Sequence, residues 1–457
     1  MAKKPYLTAP QKTDKMPPGI KYIIGNEAAE RFCFYGLRGI LVVYMTQYLR
    51  NSAHQLAPMN DDDANFWFHL FVASNYFFPM LGAIVADTFW GKYRTVLWIS
   101  LVYCAGCLLL AGDATRLGLF GGLGLIALGS GGIKPCVASN VGDQFGESNK
   151  HLVSRAFGWF YFSINFGSTF STILTPILLE KYGPRIAFGV PAVLMFIATA
   201  IFFSGRYKFI HIPPKGKTFL KETFNRETFA AFGRLAILFI FVAVFWSLWD
   251  QSGGEWVLQA EKMDRHFNLF GWKFEMLSSQ VQTINPILIM VLIPVFQYWL
   301  YPAMNRIWPL NPLRKIGGGI FVIGVSFLIS AWIEHQITAG VRVHVLWQFP
   351  AYVLLSAAEV MTSITALEFS YTQAPRHLKS IINALYLWSI TGGNLFTAFV
   401  HFFIENKDGS SKLPGAYFYL FFAVLAMVAS GVFAMIATRY REVTHLQDEA
   451  PAEQVPA

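Results

Sequence analysis

The chain has 457 residues, 54% of them apolar, 16% aromatic and only 14% charged, with a formal net charge of +9. A mean hydropathy of +0.42 lies outside the range of ordinary soluble domains and marks a polytopic membrane protein. The positive charge needs no nucleic acid to explain it, because a multi-spanning protein facing an anionic cytoplasmic leaflet carries such an excess.

Apolar runs long enough to cross a bilayer of roughly 30 Å begin near residues 22, 64, 94, 117, 153, 186, 229, 277, 316, 344, 380 and 415, which predicts twelve transmembrane helices. Lysines and arginines precede the first run (Lys3, Lys4, Lys12, Lys15, Lys21) and crowd the central loop (Lys208, Lys215, Lys217, Lys221, Arg226). They recur in alternate loops to Arg439 and Arg441, whereas one intervening loop holds Asp61-Asp62-Asp63. The positive-inside rule therefore places both termini and the central loop in the cytoplasm. No short apolar core with a cleavage site precedes the first run, so no cleaved signal peptide is expected.

The first span carries concentrated charge. At about 100° per residue Glu27, Arg31 and Arg38 share one helical stripe, with Glu30 one step aside. Such a face is expected to line a bundle interior or a watered cavity, since each ionised group at bilayer depth costs several kcal/mol; the alternative is an amphipathic helix that never enters the membrane. His69 opens the second helix on the outer side, either as a proton acceptor or as a satisfied structural residue. From Gly82 to Arg94, glycines permit close helix approach and a tight turn, while Asp87, Lys92 and Arg94 can pair neighbouring helix ends. That segment resembles the loop motif of the major facilitator superfamily.

In the fourth helix Gly129-Ser130-Gly131-Gly132-Ile133-Lys134-Pro135 isolates a lysine among glycines before a proline. Buried, Lys134 must be paired or bound to an anion, so it reads as a holder of a substrate carboxylate, as a partner of a helix 1 glutamate, or as each in turn. Cys33, Cys104, Cys107 and Cys136 fall within spans, and Cys104 with Cys107 is read as a buried, unreactive pair. The one sustained polar stretch, Ser204 to Glu227, divides the helices six and six, the organisation of a transporter with its site near the midplane between halves. In the tenth helix Glu359 is a lone acid amid small and apolar residues, suited to an ammonium or a proton, and Glu368 is read as structural. Helix 1 arginines and Lys134 in one half, opposite Glu359 in the other, suit a zwitterion. Asn165, Asn285 and several tyrosines could meet the amides of a peptide, although an amino acid would satisfy the same charges.

These residues resemble the proton-dependent oligopeptide transporter (POT) family of the major facilitator superfamily. The resemblance rests on Glu27-Ala-Ala-Glu30-Arg31-Phe32 with Tyr35 and Arg38, the Gly82 to Ser100 segment, Gly131-Gly-Ile-Lys134-Pro135, Phe157 to Ser168 and Leu367 to Pro375. Thr169 departs from the pattern, which has an apolar residue there. Phe245 to Trp256 and Val281 to Asn285 look like helices 7 and 8 of animal members, but the loop between helices 9 and 10 is too short for their large extracellular domain. The central loop is likewise too short for the two extra helices of many bacterial members.

The resemblance implies an all-α fold of two six-helix bundles, divided as residues 1–21 (cytoplasmic segment), 22–206 (first bundle), 207–227 (linker), 228–441 (second bundle) and 442–457 (disordered tail). It implies proton-driven symport of di- and tripeptides by a protein acting as a monomer, with the proton as coupling ion, no other cofactor, and no enzymatic activity, while the short loops and short tail suggest a bacterial inner-membrane protein. Proton coupling falls to Glu27, Glu30, Arg31, His69, Lys134 and Glu359, with Lys134 as ion-pair partner of the helix 1 acids. Arg38 and Lys134 would hold the peptide carboxylate, Glu359 its amino terminus, and Asn165 and Asn285 its backbone. Tyr35, Tyr44, Tyr76, Tyr161 and Trp256 would line the pocket. A same-family carrier of nitrate or another small anion is one rival; a membrane enzyme or peptide receptor is another, though no metal cluster, nucleophile-base pair or phosphate loop is visible.

Overall fold

The apolar runs become twelve long helical segments: α1 Ile20–Gln47, α2 Asp61–Trp90, α3 Lys92–Gly112, α4 Arg116–Asp143, α5 Val153–Tyr182, α6 Pro184–Ser204, α7 Arg226–Trp249, α8 Ser278–Ile307, α9 Pro312–Thr338, α10 Val345–Leu367, α11 Lys379–Ile404 and α12 Ala416–Ala437. A computed structural model of the protein describes residues 6–10, 12–214, 216, 218, 226–269, 271–307, 309–367, 369, 379–406 and 411–440. Among the described residues eleven helices are long and apolar enough to cross a membrane. The remaining long helix, α1, spans 28 residues, and its internal charges are what set it apart.

Local sequence sets the helix starts. Asn60 accepts the Asp63 N–H at 2.7 Å ahead of a first turn of three aspartates, and Asn311 accepts the Arg314 N–H at 2.8 Å with Pro312 at the first helical position. The α2–α3 connection is a π-helical turn, Ala86–Trp90, followed by Gly91 at φ +74°, a left-handed conformation that a side chain would strain. Lys92 pairs with Asp143 of α4 at 2.7 Å, which ties the start of α3 to the end of α4. Beyond Trp249, α7 passes through a 3-10 turn, Asp250–Gly253, into a short helix, Glu255–Glu261. A hairpin, β1 His266–Leu269 paired antiparallel with β2 Trp272–Glu275, then leads to α8.

One hydrophobic core gathers side chains of α1 to α6 and a second those of α7 to α12. In the first, α1 packs on α5 and α6, and α3 on α4 and α6; in the second, α9 packs on α10 and α12, and α7 on α11. The two meet along α2 against α11, where Phe77 stacks on Trp388 at 5.6 Å, and along α5 against the start of α8. The glycines of the Gly82 and Gly131-Gly132 motifs interlock: a Cβ on Gly82 would collide with the Gly132 backbone at its carbonyl oxygen. Gly82→Val should therefore force α2 off α4. We expect a loss of about 1–3 kcal/mol, read as a lower unfolding temperature in detergent, and an unchanged temperature would refute the close packing. All four cysteines are buried and unpaired by disulfides.

Candidate functional site

The α1 stripe is indeed buried. Arg31 Nε donates to Glu27 Oε1 at 2.7 Å and lies 2.8 Å from Glu30 Oε2. From α4, the Ser130 hydroxyl donates to Glu30 Oε1 at 2.8 Å. Two carboxylates thus share one guanidinium within a helical turn, with all three residues under a tenth exposed. Pairing is what makes this affordable at bilayer depth, yet the trio keeps one negative charge in excess.

The expected ion pair from Lys134 to these glutamates is not formed in this structure. Arg31, on the same helix and carrying a planar fork, already occupies both acids. Lys134 Nζ instead stands 4.0 Å from the Phe34 ring centroid and 4.5 Å from that of Tyr76, with no hydrogen-bond partner. Aromatic faces stabilise an ammonium by about 2 kcal/mol when desolvated, well short of its hydration, so the group is left seeking an anion.

Arg38 occupies a different environment from its stripe neighbours. Its Nη2 lies 2.6 Å from Asp250 Oδ1, at the end of α7, so the ion pair joins the two halves. Its guanidinium sits over the rings of Phe68 and Trp249, at 5.6 and 5.3 Å. Trp249 in turn donates its indole N–H to Glu359 Oε2 at 2.8 Å, and Asn285 donates to the same oxygen at 2.9 Å and to Ser356 Oγ at 3.0 Å. Glu359 is therefore held in a frame of α7, α8 and α10, linked to Arg38 of the first half through one tryptophan. A π-helical turn, Val360–Ile364, follows it directly.

His69 is wholly buried, its Nδ1 2.7 Å from Asn394 Oδ1 of α11. Asn394 Nδ2 donates to Asp250 Oδ2 at 2.6 Å, completing a chain Arg38–Asp250–Asn394–His69 across the interface. Further bridges between halves are Asn60 to Glu405 at 2.6 Å, Asn65 to Glu255 at 2.8 Å, Gln47 to Glu261 at 3.0 Å and Gln282 to the Gly39 carbonyl at 3.0 Å. These bridges gather at the end that carries Asp61-Asp62-Asp63, opposite the end at which α6 runs into the central linker. There the halves are closed on one another.

Tyr35 and Tyr76 are half-buried beside the charged groups, and Tyr76 borders both cores. Asn165 is half-buried on α5. Two expected pocket residues belong elsewhere. Tyr44 lies nine residues from Tyr35, about 900° and hence the opposite face of α1, and it packs edge-on against Phe188 of α6 at 4.9 Å in the first core. Trp256 follows the break in α7 and is buried between Phe327 and Tyr352 at 5.6 and 4.9 Å in the second core. The Tyr161 side chain and Glu368 lie outside the described residues. Sequence reasoning missed Asp250, Trp249, Asn394 and Ser130, none of which stands out locally from its neighbours in the chain.

Two six-helix bundles that close at one end through polar bridges, with unequal charges behind them, define a membrane protein of the major facilitator fold. The POT family profile matches residues 93–236 and 225–420, and the chain belongs to that family. It is similar to Peptide transporter family 1 of Drosophila melanogaster, 36% identical over 365 residues, covering 70% of this chain and 48% of the relative. It is also similar to human Solute carrier family 15 member 2, 33% identical over 373 residues, covering 70% and 49%; the chain spans about half the length of these curated relatives. Among solved structures, that of an auto-inhibited POT family peptide transporter superposes with a TM-score of 0.83 at 34% identity, covering 95% of this chain and 99% of that one. The in meso structure of the POT family transporter PepTSo gives 0.83 at 34% identity, covering 93% and 99%.

Proposed function

We propose that the chain is a proton-coupled symporter that carries di- and tripeptides into the cytoplasm by alternating access, with both termini on the cytoplasmic side. One observation carries the reading. The α1 trio, the Arg38–Asp250 pair, Lys134 and Glu359 together hold three cations, Arg31, Arg38 and Lys134, and four acids, Glu27, Glu30, Asp250 and Glu359. A single proton neutralises that set, and a zwitterion bridging Lys134 and Glu359 leaves it balanced. The named peptide transporters among its relatives support the same substrate class.

Glu27, Glu30 and Arg31 then handle the proton, with His69 as its outer acceptor. Lys134 takes the peptide carboxylate, joined by Arg38 once Asp250 releases it. Glu359 takes the amino terminus, Asn165 and Asn285 the amide groups, and Tyr35, Tyr76 and Tyr161 the walls. Fixed recognition of the two ends, with aromatic walls between, tolerates many side chains. Entry of one proton with a net-neutral peptide is favoured by about 2.3 kcal/mol per 100 mV of inward-negative potential.

The test is accumulation of labelled dialanine in proteoliposomes under an imposed pH gradient. Uptake should collapse on adding a protonophore and be competed by dipeptides but not by nitrate; competition by nitrate instead would replace peptide with a small anion. Glu359→Gln should lose at least tenfold in dialanine uptake, the worth of about 1.5–3 kcal/mol for a charged hydrogen bond. Wild-type uptake by this variant would remove Glu359 from the peptide's amino end.

A further inference from the structure

A second histidine, His401 in the last turn of α11, is wholly buried at the closed end. Carboxylates flank both of its ring nitrogens: Nδ1 lies 2.9 Å from Asp62 Oδ1, at the start of α2 in the first half, and Nε2 lies 3.6 Å from Glu255 Oε1, beyond the α7 break in the second. Nε2 has no hydrogen-bond partner, although Asn65 of α2 donates to the same Glu255 oxygen. With a neutral imidazole donating to Asp62, a bare nitrogen lone pair on the fully buried ring would face a carboxylate, which is repulsive.

We infer that Asp62, His401 and Glu255 form a second proton-binding site whose occupancy locks the two halves together at this end. The bound proton lies between His401 Nε2 and Glu255, turning a repulsion into a charge-assisted bond that spans α2, α7 and α11. The neighbouring charges do not supply a substitute. Lys262 lies 3.7 Å from Asp61 and 3.5 Å from Glu334, and so serves two other acids. His69 stacks at 6.1 Å from the His401 ring and is held by Asn394. One ring nitrogen of His401 and one oxygen from each of Asp62 and Glu255 lie within 4.8 Å of one another, so a metal ion is the rival occupant of the same cluster, and the zinc arm of the test separates the two.

This rests on the proposal that the closed end faces the exterior: protons there would load the clamp when the halves part and favour their closing, ahead of transfer to the inner acids. The test needs no substrate, so its outcome is separate from that of the uptake assays. Spin labels at Ser52→Cys and Ala339→Cys, exposed positions at this end of either half, report the inter-half distance in the full-length protein as pH is lowered from 8 to 5. The native cysteines are buried. Wild type should shift from a longer to a shorter distance on acidification. His401→Gln should flatten that response severalfold. Glu255→Gln, whose amide can donate to a bare Nε2, should stay closed at pH 8. A wild-type pH response in both variants overturns the proposal. So does a distance that responds to added zinc at fixed pH but not to pH itself, which would make the cluster a metal site.

Discussion

Asp250→Ala should open the closed end and abolish coupled uptake. The substitution leaves the Arg38 guanidinium, 7% exposed, without its carboxylate, and strips Asn394 of an acceptor. Breaking one side of a buried ion pair costs about 3–5 kcal/mol. Because the partners lie on opposite halves, the cost falls on the closed arrangement alone; when the halves part, water reaches Arg38 and pays part of it back. A ligand-free population thereby moves by about two to three orders of magnitude toward opening, at about 1.4 kcal/mol per decade. The same spin-label distance between the halves measures this, and a distribution unchanged by Asp250→Ala would show that the pair does not hold the gate.

Lys134→Met should separate stability from function. The ammonium is buried over two rings with no hydrogen bond, so folding gains little from its charge and bears its desolvation. Replacing it with an apolar chain of similar length should leave the unfolding temperature in detergent unchanged or raise it by a few degrees. Dialanine uptake should nonetheless fall by about ten- to a hundredfold, the loss of one charged contact to a carboxylate at about 1.5–3 kcal/mol. A variant that is destabilised and still transports would reverse the assignment and make Lys134 structural.

The contrast between these two residues shows how far the sequence reaches. Lys134 stands out in the chain because a lone cation among glycines within an apolar run has no local explanation, and the structure leaves it without a hydrogen bond. Asp250 sits beside Trp249 and before a polar Gln251-Ser252 at a helix end, where an acid is unremarkable, and only its place opposite Arg38 gives it weight. Arg38 itself falls on the stripe of Glu27 and Arg31, but seven residues along α1 carries it about 10 Å from Arg31, out of the trio and into the other half's reach. The paired tyrosines show the opposite error. Tyr35 and Tyr44 both look like pocket walls until helical phase puts them on opposite faces, one beside the charges and one against Phe188.

By itself the sequence determined the number of spans, their order and the burial of the helix 1 charges, because bilayer thickness and the cost of an ionised group are read from composition over some twenty residues. Tertiary structure decided which charge meets which. The Arg38–Asp250 pair, the Trp249 and Asn285 frame around Glu359, and the His401 clamp join residues far apart in the chain. Their meeting depends on how each helix is rotated and how the two halves abut, and neither quantity leaves a trace in local hydrophobic period.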